Sequence, residues 1–252
     1  LILLKSPSEV REMSGPAEIV AGAHRKAREI VAPGITTREI DRAVEAYIRE
    51  RGGSPAFKGY RGFPASVCAS VNDEVVHGIP GDRILREGDI VGVDIGVKSG
   101  GFYSDAAQTL GVGRISPEAE RLLEVTRSAL YAGIAEVRPG RQVGDVSWAI
   151  QNLVERAGFS VVRSLVGHGI GRSMHEEPQV PNFGKPGQGP QLRPGMALAI
   201  EPMVNAGGYE VDVLDDAWTV VTADGSLSAH FEHTVVVTED GAVILTEGAF
   251  PA

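Results

Sequence analysis

Two stretches of this chain superimpose without a gap, and each ends an apolar run on an acid. REGDIVGVD ends at Asp94 and RPGMALAIE at Glu201, 107 positions later, with Arg86 on Arg193, Gly88 on Gly195 and the apolar run 90–93 on 197–200. The match continues upstream, where residues 30–53 align with 136–159 at an offset of 106 and place Pro33-Gly34 on Pro139-Gly140, Ala43 on Ala149 and Gly52 on Gly158. Ile40/Val146, Val44/Ile150, Tyr47/Leu153 and Ile48/Val154 keep the spacing of a buried helical stripe. A repeat of about 100 residues is far longer than the roughly 20–50 of solenoids, which predicts two similar half-domains facing one another. The expected organisation is one domain over 1–252, with an N-terminal half of about 1–112 and a C-terminal half of about 113–252. A carboxylate that ends a Val/Ile run must be paired or metal-bound, because an unpaired buried charge is costly. The duplicated acid is therefore a functional candidate.

Helical patterns cover 8–31, 37–51, 117–137 and 143–158, opened by caps such as Thr36 and Ser116 or stopped by Gly52. Strand patterns fall near 65–71, 75–77, 89–97, 102–110, 159–166, 196–204, 218–222, 231–238 and 242–245. Helices and strands come in blocks, which favours an α+β fold over a doubly wound sheet. Residues 182–195, rich in Gly and Pro with no apolar period, read as a surface loop. A net charge of −9 offers no clustered cations for nucleic acid or an anionic membrane. The single cysteine, Cys68, excludes an internal disulfide and suits a reducing compartment. LILLK at the start is too short for a signal peptide or membrane span, so a cytoplasmic location is expected. No long amphipathic seam demands a partner, which suits a monomer.

Asp94 and Asp105 flank turn material at 97–101, so a hairpin brings both acids to one rim as cross-strand neighbours. Glu201 and Glu232 are expected to meet likewise, strand against strand. Four converging carboxylates would raise each other's pKa unless cations sat among them, and two divalent ions are the economical solution. His168, in GHGIG, is the nitrogen candidate, with glycines leaving room for close backbone approach. Such a set suits Mn, Fe(II), Co or Zn in an open, mostly oxygen site. His77 and His175 share a local frame, each followed three residues later by a proline. His24, among Arg25, Lys26 and Arg28, is expected on a solvated helix face, and His233 is expected to face away from Glu232. His230 lies on Glu232's side, beside the site or at the surface rather than as a ligand. GHGIG lacks the helix and lysine of a phosphate loop, and Cys68 lacks the electropositive setting of a nucleophile.

Those residues, with the strings GHGIG, HEEP, EPMVNAG, WTVVT and HFEHT, carry a resemblance over essentially the whole chain. The chain resembles the type I methionine aminopeptidases of bacteria, in the pita-bread superfamily that also holds prolidases, aminopeptidase P and creatinase. The resemblance implies an α+β pita-bread fold: two pseudo-twofold halves, an antiparallel sheet covered by helices, and a central dimetal site. Asp94 would chelate one metal, His168 and Glu201 the other, while Asp105 and Glu232 bridge both. A hydroxide between metals roughly 3.5–4 Å apart, its pKa lowered from ~16 toward 7, would attack the N-terminal peptide carbonyl. Glu201 would shuttle the proton, His175 would bond the substrate carbonyl and His77 the scissile amide nitrogen.

The methionine pocket would be lined by Phe57, Tyr60, Phe63, Cys68, Met174 and Trp218, with His77 at its edge, a wall suited to a thioether. Relatives vary at Phe57, Phe63 and Met174, and some have Thr at Gly96. Between Glu201 and Glu232 the chain is too short for the helical insertion of type II enzymes, and no Cys/His-rich extension is expected before residue 5. EPMV in place of EPG argues for methionine rather than proline specificity. The expected activity is removal of initiator methionine from nascent chains with a small second residue, with the ribosome a further expected contact. The alternatives are an Xaa-Pro peptidase of the same fold and a non-catalytic peptide-binding module.

Overall fold

The structure, a computed structural model, describes residues 1–251. Four helices form where the apolar period and the capping residues coincide: α1 (Pro7–Ile30), α2 (Thr37–Glu50), α3 (Pro117–Ala135) and α4 (Val143–Arg156). Ser6 and Thr36 close capping boxes with Glu9 and Glu39, each hydroxyl oxygen accepting an N–H that the first turn leaves unpaired. The start of α4 lies 106 positions after that of α2 (143 − 37), the same offset as the sequence repeat, and each helix has 14 residues. Backbone geometry repeats as well. Gly52 and Gly158 follow these helices at φ 76° and 84°, and Gly88 and Gly195 turn at φ 93° and 90°, a left-handed conformation that glycine adopts without strain. The isolated bridge Thr36↔Ile84 has its counterpart in Gln142↔Gln191.

The strands are, in chain order, β1 (Ser54–Pro55), β2 (Cys68–Val71), β3 (Glu74–Val76), β4 (Ile90–Ser99), β5 (Phe102–Gly111), β6 (Ser160–Val161), β7 (Gly167–Gly169), β8 (Glu176–Val180), β9 (Ala197–Ile200), β10 (Met203–Asn205), β11 (Val211–Val213), β12 (Val220–Thr222), β13 (Ser228–His230), β14 (Glu232–Thr238) and β15 (Gly241–Ile244). Strands β1-β4-β5-β14-β9-β7-β8 run side by side in that order, with β2 added on β4 and β15 on β14. Every pairing in this sheet is antiparallel. Two three-stranded sheets, β13-β10-β6 and β11-β12-β3, complete the β-structure.

Helix α1 packs on β4 and β5, α3 on β5, β9 and β14, and α2 and α4 back onto α1 and α3. The stripes read in the sequence are the contact surfaces: Ile40, Val44 and Ile48 of α2, and Val146, Ile150 and Val154 of α4, are fully buried in one core. Burying a side chain of this size contributes about 1.5–3 kcal/mol. No helix among the described residues is long and apolar enough to cross a membrane.

Three strand expectations need correction. The run 159–166 pairs only at Ser160–Val161. The run 196–204 is two strands in different sheets, β9 and β10, because Pro202 offers no N–H to a ladder. The run 231–238 begins at Glu232, since β13 ends at His230 in one sheet and β14 begins in another. Glu201 and Glu232 thus both stand where the chain passes between sheets.

Candidate active site and metal centre

Strand register decides which side chains meet. Asp94 opposes Ala107 across β4 and β5, and Ala107 opposes Glu232 across β5 and β14, so Asp94 and Glu232 share one row on one face. Cys68 on β2 opposes Asp94 and joins that row. Asp105 opposes Gly96, two residues along from Ala107, which puts it on the same face as a diagonal neighbour of Asp94. His168 on β7 and Thr234 on β14 both oppose Ala199 of β9. Glu232 lies two residues from Thr234, and Glu201 two residues past Ala199, so side-chain alternation directs all five donors to one side. Glycines flanking His168 permit this packing: a Cβ at Gly167 would lie 2.4 Å from Ala199 O, and one at Gly169 2.3 Å from Glu177 O.

Donor atoms of Asp105, His168 and Glu232 all lie within 4.8 Å of one another. His168 Nε2 is 3.8 Å from Asp105 Oδ2 and 3.6 Å from Glu201 Oε1. Its Nδ1–H donates to Gly169 O at 2.9 Å, which leaves the Nε2 lone pair facing the acids. Thr234 Oγ1 accepts from Asp105 N–H at 3.1 Å, and Asn182 Nδ2 donates to Glu201 O at 3.0 Å, fixing the main chain at two of the acids. Among the described residues no Lys or Arg forms an ion pair with Asp94, Asp105, Glu201 or Glu232. Asp94 Oδ1 is buried with no partner at all.

Electrostatics follow from that crowding. Burial raises Asp105 to about 7. Burial, and after it the charge of Asp105, holds Asp94, Glu201 and Glu232 well above the ordinary carboxylate range. Desolvation lowers His168 to about 4, so its imidazole is neutral and able to ligate. Four hard oxygen donors and one neutral nitrogen, with an orphaned carboxylate oxygen and no internal cation, fit a divalent metal centre.

All thirteen residues singled out in the sequence line one cavity of about 180 Å³, and only Arg61 is added to them. His175 Nδ1 and the Tyr60 hydroxyl are 2.8 Å apart, and the His175 ring centroid is 4.2 Å from that of His168. Burial first, then His168, lowers His175 to about 4. A Tyr60 O–H donated to Nδ1 would leave the His175 proton on Nε2. His77 is lowered by burial and sits at φ 61°, a left-handed backbone uncommon for residues other than glycine. Phe63 meets Trp218 edge to face at 5.2 Å, and Met174, also buried, lines the same cavity. Burial raises the Cys68 thiol well above its usual value, which suits an apolar wall rather than a nucleophile.

Other expectations fare unevenly. His24 is not on a solvated face: it is fully buried, with Nε2 at 2.8 Å from Ala106 O and Nδ1 accepting from Gln108 at 2.9 Å. His233 does face away from Glu232, against Thr246 and Tyr131 at 2.9 and 3.2 Å. His230 is buried, with Nε2 3.7 Å from Glu201 Oε2. Arg61 escaped notice because one arginine in a polar loop ordinarily reads as a solvated charge; its place between Gly59 and Gly62 was the available signal. Lys5 was also missed. It forms a buried ion pair with Glu176, the residue after His175, and Gly171 leaves room for the lysine stem.

Residues 11–239 match metallopeptidase family M24. The chain is 51% identical over 246 residues to methionine aminopeptidase 1 of Bacillus subtilis strain 168, covering 98% of this chain and 99% of that protein. It is 53% identical to the methionine aminopeptidase of Clostridium perfringens strain 13, with the same coverage of 98% and 99%. A crystal structure of methionine aminopeptidase from Thermotoga maritima superimposes with a TM-score of 0.96 at 48% identity, covering 98% of this chain and 99% of that one. With its acids, imidazoles and apolar pocket in one cavity, the chain belongs to metallopeptidase family M24, among the methionine aminopeptidases.

Proposed function

We propose that this protein removes the initiator methionine from nascent polypeptides whose second residue is small, acting in the cytoplasm as a monomer. The observation that carries the reading is one cavity in which the clustered Asp105, His168 and Glu232, with the acids Asp94 and Glu201 also in its lining, meet an aromatic and sulfur-bearing wall. Asp94, Asp105, His168, Glu201 and Glu232 would hold two divalent cations, drawn from Mn, Fe(II), Co or Zn. When bound, these supply Lewis acidity and lower the pKa of water so that a nucleophile exists near neutral pH. We take residues 1–252 as one catalytic unit, whose two related halves, divided near 112, each contribute acids.

The chain's own groups divide the remaining work. Glu201 accepts the proton released by the attacking water and passes it to the departing amine. His175, neutral with its proton on Nε2, donates to the substrate carbonyl oxygen as negative charge develops. His77 bonds the scissile amide nitrogen. Phe57, Tyr60, Phe63, Cys68, Met174 and Trp218 enclose the methionine side chain, a flexible thioether that packs well on aromatic edges. A free α-amino group would occupy a position at the cations these residues hold, which restricts cleavage to chain ends. Methionine aminopeptidases about half identical over nearly the whole chain favour this reading over an Xaa-Pro peptidase or a non-catalytic binding module.

Metal-stripped protein given Mn(II) or Co(II), then Met-Ala-Ser, Met-Gly-Met and Gly-Pro peptides, tests the reading directly. Metal-dependent release of methionine from the first two, with Gly-Pro untouched, is the expected result. Full turnover without metal, or preference for Gly-Pro, would end it.

A further inference from the structure

His230 is a buried imidazole with an unanswered nitrogen. It ends β13, where its main chain is clamped on both sides: its N–H donates to Thr109 Oγ1 at 2.9 Å, its C=O accepts from the same hydroxyl at 3.0 Å, and it opposes Met203 on β10. The side chain is therefore delivered in a fixed direction. Nε2 is buried without a hydrogen-bond partner, yet lies 3.7 Å from Glu201 Oε2. On the other side of the same carboxylate, His168 Nε2 is 3.6 Å from Oε1. Glu201 is thus held between two imidazoles, one per oxygen, while Asn182 anchors its carbonyl.

We infer that His230 is a positioning residue for Glu201: its neutral imidazole donates an Nε2–H hydrogen bond to Oε2 and turns Oε1 toward the cation site beside His168. A shift of about 0.8 Å by the carboxylate brings the contact to ordinary N–H···O length. That shift would also satisfy a buried donor that is otherwise left costly. A residue present only for packing would need no nitrogen here. The inference rests on the proposed role of Glu201 as a metal ligand. It goes further by giving the ligand an outer partner of the kind whose loss typically weakens metal binding about 10–100-fold.

Calorimetric titration of the metal-free full chain with Mn(II) reads this without any peptide. His230→Met fills the space but cannot donate, and should raise the Kd at least about tenfold. His230→Gln restores an N–H donor and should stay within about threefold of wild type. Wild-type affinity in His230→Met, or equal weakening in both variants, would overturn the assignment. Should His230→Met lose its cooperative melt, histidine ¹⁵N shifts of the unmodified protein decide: an Nε2–H neutral tautomer at His230 supports the bond, and an Nδ1–H tautomer excludes it. Methionine release by metal-loaded wild type is scored separately, so failure of the peptidase reading is distinguishable from failure of this one.

Discussion

A methyl group placed on Gly96 would lie 2.6 Å from Phe57 Cε1 and 3.1 Å from Ala56 Cβ. Gly96 and Phe57 are therefore a matched pair, since the absent side chain on β4 is what lets the phenyl ring enter the cavity wall. Gly96→Thr should push that ring into the methionine site and raise KM for Met-Ala-Ser about tenfold, the usual penalty for a misfit of one or two carbons. Adding Phe57→Ala should bring KM back to within about threefold, and a double variant as impaired as the single one would contradict the pairing. The acids proposed as metal donors were legible in the sequence for a simple reason. Asp94, Asp105 and Glu232 sit in strand patterns where alternation fixes the face, and a repeat flagged Asp94 together with Glu201, which follows β9. His24 and Arg61 were not legible, because flanking charges on a helix and a lone cation in a loop carry no signal of depth. Only the packing of Ala106 and Gln108 shows His24 as interior.

Among elements, the helices were easiest to read, since apolar periodicity ran through all four, with a Ser or Thr cap opening α1, α2 and α3 and a glycine following α2 and α4. Thr36 illustrates how much one cap contributes. Its hydroxyl oxygen accepts from Glu39 N–H at 3.2 Å, while Glu39 Oε2 accepts from Thr36 N–H at 2.8 Å. Thr36→Ala should cost about 1 kcal/mol, seen as a melting point lower by roughly 2–4 °C in a calorimetric scan, with kcat unchanged. A drop in kcat with unaltered melting would place α2 in the chemistry rather than the scaffold. Short strands were the hard part. β7 is Gly-His-Gly and β8 begins with two glutamates and a proline, compositions that argue against strand until a neighbouring backbone demands it. Where 196–204 looked continuous, Pro202 ended the ladder, and the break delivers Glu201 to the cavity.

At the scale of the molecule, the fold spends stability on holding four acids together. Asp105 in the metal-free protein titrates at about 7 instead of 3.8 because it is buried. A carboxyl raised in the folded state contributes stability that is fully present below the unfolded value and lost as pH rises through the folded one. The metal-free protein should therefore weaken between about pH 4 and pH 7 through this group, while divalent cations, by displacing its proton, remove the loss. The rise in melting temperature on adding Mn(II) should then grow from pH 5.5 to pH 8, reaching the equivalent of about 2.7 kcal/mol at a hundredfold excess over Kd. A metal-induced rise that is flat across that range would show that the acids do not share the cations.

Lys5 gives the opening residues a duty that their position in the chain conceals. Its ammonium meets Glu176 in the interior, and its main-chain N–H donates to Gly195 O at 2.7 Å, in the turn before β9. Trimming the chain beyond this lysine would maroon an anion next door to His175. Lys5 thus ties the strand that follows His175 to the turn before β9 through one ion pair and one main-chain bond.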